Sequence, residues 1–233
     1  MSPSELWLAA AHFGEDAGLL LVLGSFVVRR LSRMPPRLMW VNPPMADAFL
    51  VAAVAGSALL AVDHSWIVLL RVVSEVAGWL LCRRGVPRAA PLALLAAGLL
   101  PSHVSGAGAL LAADVHVLSA GIWAGGVLAL ATLKPPEGWK SLEAKTLLAR
   151  FGRIAFIAFA LTALTGVLRA AEILRDVSDL WTSTYGIVLL LKVAGVAAML
   201  ALAPAWKRGP YEAYAAVVVV ALTAFLAAFP LPA

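Results

Sequence analysis

Cysteine is nearly absent. With Cys82 alone in 233 residues, the chain has no internal disulfide and no multi-cysteine metal site. Charge is scarce as well: Asp, Glu, Lys and Arg make up 13% of the residues against 62% hydrophobic ones, too few to coat a water-soluble surface. Also missing are a Gly-x-x-x-x-Gly-Lys-Ser/Thr loop, a Gly-x-Ser-x-Gly elbow and a His-Glu-x-x-His pair, which argues against ATP-driven pumping or hydrolysis by this chain alone. The opening Met-Ser-Pro-Ser-Glu has no basic n-region, and the apolar stretch after it is too long for an h-region. It is expected to persist as a first helix.

What is present is a mean hydropathy of +0.92, the mark of an integral membrane protein. Apolar runs bounded by Pro, Gly or charge predict an all-α, polytopic membrane bundle of about eight transmembrane helices, near 5–28, 44–62, 65–81, 89–100, 107–133, 146–171, 184–205 and 211–229. The fourth is shorter than a full span. The whole chain, 1–233, reads as one membrane domain, with a weak duplication into four-helix halves at 1–101 and 102–233. His12 and His116 sit early in the first helix of each half, and Arg71 and Lys192 follow similar Ile-Val-Leu-Leu runs.

The net charge of +5 reports topology rather than nucleic-acid binding. Of 18 Lys and Arg, 14 fall on alternate junctions: Arg29, Arg30, Arg33 and Arg37; Arg83, Arg84 and Arg88; Lys134, Lys140, Lys145, Arg150 and Arg153; Lys207 and Arg208. This predicts a multi-pass membrane protein with both termini outside. Trp7, Trp66 and Trp181 then mark outer ends, Trp40, Trp79, Trp139 and Trp206 inner ends, and only Trp123 lies deep.

Ionisable residues within the apolar runs are costly and need a partner or a task. His12, Glu15, Asp16, Arg71, Glu75, Asp114, His116 and Lys192 all fall in the outer half at about 1.5 Å per residue. His64 and His103 stand at outer ends, so the picture is an outward-opening polar vestibule over an apolar floor. His12, Glu15 and Asp16, at i, i+3 and i+4, share a face that suits a cation or a proton network; equally, Arg71 and Glu75 turn it into a structural ion-pair cluster. His116 is a candidate ligand for copper, zinc or haem iron, or a hydrogen-bonded packing histidine. Asp114, two residues away on another face, is expected to pair with Lys192 or Arg169. Lys192 otherwise contacts an anion or moves protons. His103 and His64 are capture ligands or solvated loop residues. Met34, Met39, Met45 and Cys82 are soft groups near the inner face, suited to Cu(I) or to plain packing. Gly121 and Gly125 form a small-xxx-small pair that admits a close neighbour helix.

The ordered set His103, Asp114-Val-His116, Ile122-Trp123-Ala124-Gly125-Gly126, Arg150-Phe151, Thr165-Gly166, Thr184-Tyr185-Gly186 and Leu190-Leu191-Lys192 resembles the copper resistance protein D (CopD) family. The resemblance spans about residues 98–208. It implies a copper-handling inner-membrane protein that imports copper, often beside a periplasmic carrier. Such a carrier would here be a separate protein, because this chain has no soluble outer domain. Depth and ligand chemistry, not the resemblance, name His116, His12, His103 and His64 as the copper ligands, with Glu15, Asp16, Arg71, Glu75, Asp114 and Lys192 setting the charge, and a histidine and carboxylate set suits Cu(II). The span from His116 to Lys192 also resembles HemJ-type protoporphyrinogen oxidases, which implies haem b and redox chemistry as the alternative.

Overall fold

The computed structural model describes residues 3–85, 89–101, 106–174, 176–204 and 211–228. Among them the ordered elements are helices: α1 (Pro3–Ser32), α2 (Met45–Leu60), α3 (Trp66–Arg83), α4 (Ala90–Gly98), α5 (Ala107–Ala131), α6 (Leu142–Ile173), α7 (Asp179–Thr182), α8 (Thr184–Leu202) and α9 (Tyr211–Ala228). Serine hydroxyls start three of these. Ser65 accepts from Val68 N, Ser141 from Ala144 N and Ser183 from Gly186 N, each satisfying an amide that the helix leaves open.

Helices occupy all eight predicted segments, and α7 is an addition. Their membrane credentials differ. By length and apolarity α1, α5, α6 and α8 are able to cross a bilayer, while α2 and α9 are apolar but shorter. α3 carries Arg71, Glu75 and Arg83 in its 18 residues. α4 has nine residues, about 13 Å of helix, under half the hydrocarbon thickness. It lies against α1, α3 and α5 through Ala93, Ala96 and Ala97, all fully buried.

α1 and α5 form the centre. They run parallel: Val28 and Leu31 share one core cluster with Val127, Leu130 and Leu133, while Val22 and Leu23 lie with Val117 and Leu118 further back. Glycine sets the approach. A Cβ on Gly125 would collide with the Leu20 carbonyl, one on Gly24 with the Gly125 backbone, and one on Gly121 with the Leu23 side chain. The small-xxx-small pair of α5 therefore receives α1. Around this axis α2 packs on α1, α3 on α2, α6 on α5, and α9 on α1 and α5, with α8 outside α9. Among the described residues α6 and α8 do not pack on each other.

α6 shows how the pattern works. Ala144, Leu147, Phe151, Ala155, Ala158 and Thr165 form its buried stripe, while Phe156, Ile157, Leu164 and Val167 face outward, 58–72% exposed, as lipid-facing apolar residues do. Gly126 leaves room for the Phe151 ring, and Trp123 meets Phe159 edge-on at 4.9 Å.

The loops α1–α2 and α3–α4 meet at one end of the bundle, where Arg29, Arg30, Arg33, Asn42 and Cys82 line a cleft of about 590 Å³. This basic end groups several of the arginines predicted to face inward; Arg88, Lys207 and Arg208 lie outside the described residues. Arg150, in the third turn of α6, fastens it. Its guanidinium donates to the carbonyls of Leu31 (3.0 Å), Met34 (3.1 Å), Pro35 (2.8 Å) and Pro36 (3.3 Å), satisfying acceptors that the end of α1 leaves open.

Two glycines differ in expected outcome. Gly125→Ala forces backbone from backbone and should cost about 3 kcal/mol or more, read as a lower melting temperature and loss of monodispersity in detergent. Gly152→Ala meets nothing within 4 Å and should be neutral or stabilising by up to about 1 kcal/mol.

Candidate functional site

Two polar groups form at one level of the bundle. The first joins α1 and α3 behind α2. Arg71 Nε donates to Glu15 Oε1 at 2.6 Å, with both side chains buried. Glu75, one turn along α3 from Arg71, is also fully buried, and both its oxygens lack a hydrogen-bond partner, as does Glu15 Oε2. Gly56 of α2 makes the space. A Cβ there would lie 2.7 Å from Glu15 Oε1 and 2.8 Å from Glu75 Oε2.

The second joins α5 and α6. His116 Nδ1 lies 3.0 Å from Thr165 Oγ1, and the Thr165 hydroxyl is itself 2.6 Å from the Leu161 carbonyl. A hydroxyl has one proton. With that proton given to Leu161 O, Nδ1–H of His116 donates to Thr165, and the Nε2 lone pair is left unprotonated. Gly166 lets the ring sit this close: a Cβ on it would stand 3.3 Å from His116 Cε1. Below, Ser119 donates to the Val115 carbonyl, and its Oγ lies 2.8 Å from Thr162 Oγ1. The result is a hydroxyl-lined seam between α5 and α6.

Lys192 of α8 and Arg169 of α6 both lie within electrostatic reach of His116. Asp16 of α1 balances Lys192, and it is also in reach of Glu15 and Arg71. Glu15 holds Arg71 as a direct ion pair, while Asp16, about 100° further round α1, feels Glu15, Arg71 and Lys192 electrostatically. The face expected for His12, Glu15 and Asp16 is thus divided. Asp114 has neither expected partner: its Oδ1 is buried without a hydrogen bond, and Lys192 answers to Asp16 instead. The reason is rotation, since two residues of helix turn Asp114 away from the face that carries His116.

The predicted vestibule is therefore a polar layer, sealed at its α3 side where Glu15 and Glu75 have no exposure. The histidines do not assemble in it as a set. His116 and His12 are half-buried, His64 is exposed in the turn before α3, and His103 lies outside the described residues. Among the described residues no three His, Cys, Asp or Glu side chains converge to hold a metal ion. Sequence reasoning missed Thr165 as the partner of His116 and Arg169 as its cationic neighbour; the signal for Thr165 was its place beside Gly166, a small pair facing a buried histidine.

The ion pair makes a clear prediction. Arg71→Met leaves two buried carboxyls without their cation and should cost about 3–5 kcal/mol, whereas Glu15→Gln with Arg71→Met should recover much of it; thermal unfolding in detergent separates the two.

Comparison with known proteins narrows the identity. Residues 145–228 match the family model of copper resistance protein D (CopD). No curated protein matches the chain. No solved structure matches it. The matched segment holds Arg150, Thr165, Arg169 and Lys192 but none of the four histidines. It gives no support to the haem reading. The match covers α6, α8 and α9, and together with helices apolar enough to cross a bilayer it points to a multi-pass membrane protein that is similar over that stretch to the copper resistance protein D family.

Proposed function

We propose that the chain is a copper permease of a bacterial inner membrane, accepting copper at the end of the bundle opposite the arginine cleft and passing it inward. The observation that carries the reading is the 3.0 Å contact of His116 Nδ1 with the Thr165 hydroxyl. Its Nδ1–H is committed to Thr165, so Nε2 offers a neutral, oriented lone pair, the form in which imidazole binds copper. His12, on the parallel central helix, is the second proposed ligand, and His64 and His103 capture copper at the surface. Copper is the cargo here, and the chain is read as a transporter, not an enzyme.

Charge compensation comes from the neighbours. Asp16 balances Lys192 when no metal is present, and an arriving cation competes with that ammonium for the same carboxylate. Asp114, half-buried and with its Oδ1 lacking a hydrogen bond, supplies a further negative charge. Below the layer the core of Val28, Trp123, Val127, Leu130 and Phe151 closes the way, so passage requires helices to move. The flanks suit this, because α6 and α8 do not hold each other. A separate periplasmic carrier delivers the copper, and the halves 1–101 and 102–233 are related units, each sending one cation, Arg71 or Lys192, toward the carboxylates of α1.

Metal analysis and absorption spectroscopy of the detergent-purified protein, before and after adding copper, test this. About one copper per chain without a haem Soret band is expected. Thr165→Val should weaken binding by about 10- to 100-fold, the usual cost of losing the group that orients a ligand, and His116→Ala should abolish it. Unchanged copper stoichiometry in both His116→Ala and His12→Ala would overturn the assignment.

A further inference from the structure

Glu75 is not among the proposed copper ligands. It is fully buried in α3, its two oxygens accept no hydrogen bond, and it stands within hydrogen-bond reach of Glu15, which already holds Arg71. Two carboxylates and one guanidinium in a space that excludes water leave one negative charge uncompensated, at a cost of several kcal/mol. Among the described residues no cation is ion-paired with Glu75. α1 adds Asp16, a further carboxyl in reach of Glu15, with Lys192 as its own counter-ion, and His12 lies one turn from Glu15. α2 contributes Gly56 at this level, and α4 has no titratable side chain.

We propose that Glu15, Arg71 and Glu75 form a proton-binding site within the membrane: Glu75 is held as the neutral acid and donates its proton to the Glu15 carboxylate, which remains ion-paired to Arg71. One proton removes the excess charge and gives the open oxygens of the two carboxyls a common hydrogen bond. Gly56 belongs to the device, because a side chain there would press against both Glu15 Oε1 and Glu75 Oε2. The ligand is a proton, bound on the side of α1 that faces away from the His116 seam. The site therefore stands or falls independently of copper.

Infrared difference spectroscopy of the purified, copper-free protein reads it directly through the carbonyl stretch of a protonated, buried carboxylic acid. At neutral pH, where exposed carboxyls are ionised, the native chain should show this band. Glu75→Gln, whose amide can still donate to Glu15, should lose it. Glu15→Gln should lose it too, since Arg71 then pairs with Glu75 and holds it ionised; should one variant fail to fold, the other carries the test. The exposed control Glu172→Gln should leave the band unchanged. Absence of the band in the native chain, or its survival in either Gln variant, would overturn the proposal. In the former case both carboxyls are ionised around some other cation.

Discussion

The molecule depends on the place where α1 and α5 touch through their backbones. Gly24 and Gly125 admit no side chain between the helices, and Gly121 and Gly126 receive Leu23 and Phe151 on either side. In lipid, where apolar side chains gain little by leaving one solvent for another, such close contact and its dispersion energy hold helices together. The crossing also fixes rotation. Once Gly125 faces Leu20, His116 is turned toward α6, and Glu15 and Asp16 are turned toward α3 and α8. The polar layer is a consequence of a steric choice made several turns away.

That layer collects its charges around α1. Arg71 of α3 is ion-paired with Glu15, and Lys192 of α8 lies within electrostatic reach of Asp16 and, with Arg169 of α6, of His116 on α5. Burial makes each member hold the next in place, because an unpaired charge is far costlier here than in water. The histidine at its end is oriented by the Thr165 hydroxyl.

Much of this was legible in the sequence. Apolar length located eight of the helices, the Gly121–Gly125 spacing marked the close-packed face, and depth placed the ionisable residues at one level. Helix ends were less visible. Ser32 and Leu142 extend α1 and α6 past their apolar windows through Arg29, Arg30, Glu143 and Lys145, residues that read as loop. Partner choice was the larger omission. Asp114 was matched with Lys192 on shared depth alone, but pairing depends on which helix stands beside which and how each is rotated, and no single apolar segment encodes that. Arg150 escaped for the same reason: its partners are carbonyls of Leu31 to Pro36, which no side-chain pattern announces.

Arg150 also bears on how the bundle is driven. Its guanidinium binds the Leu31 carbonyl at the end of α1 and three carbonyls of the loop that follows, from a helix that otherwise rests mainly on α5. α6 is thus clamped at its basic end and held more lightly beside His116, so the stiffness of the joint is graded along its length. The other arm of α6 carries Thr165 and Arg169 and rests on α5 through the hydroxyls of Thr162 and Thr165.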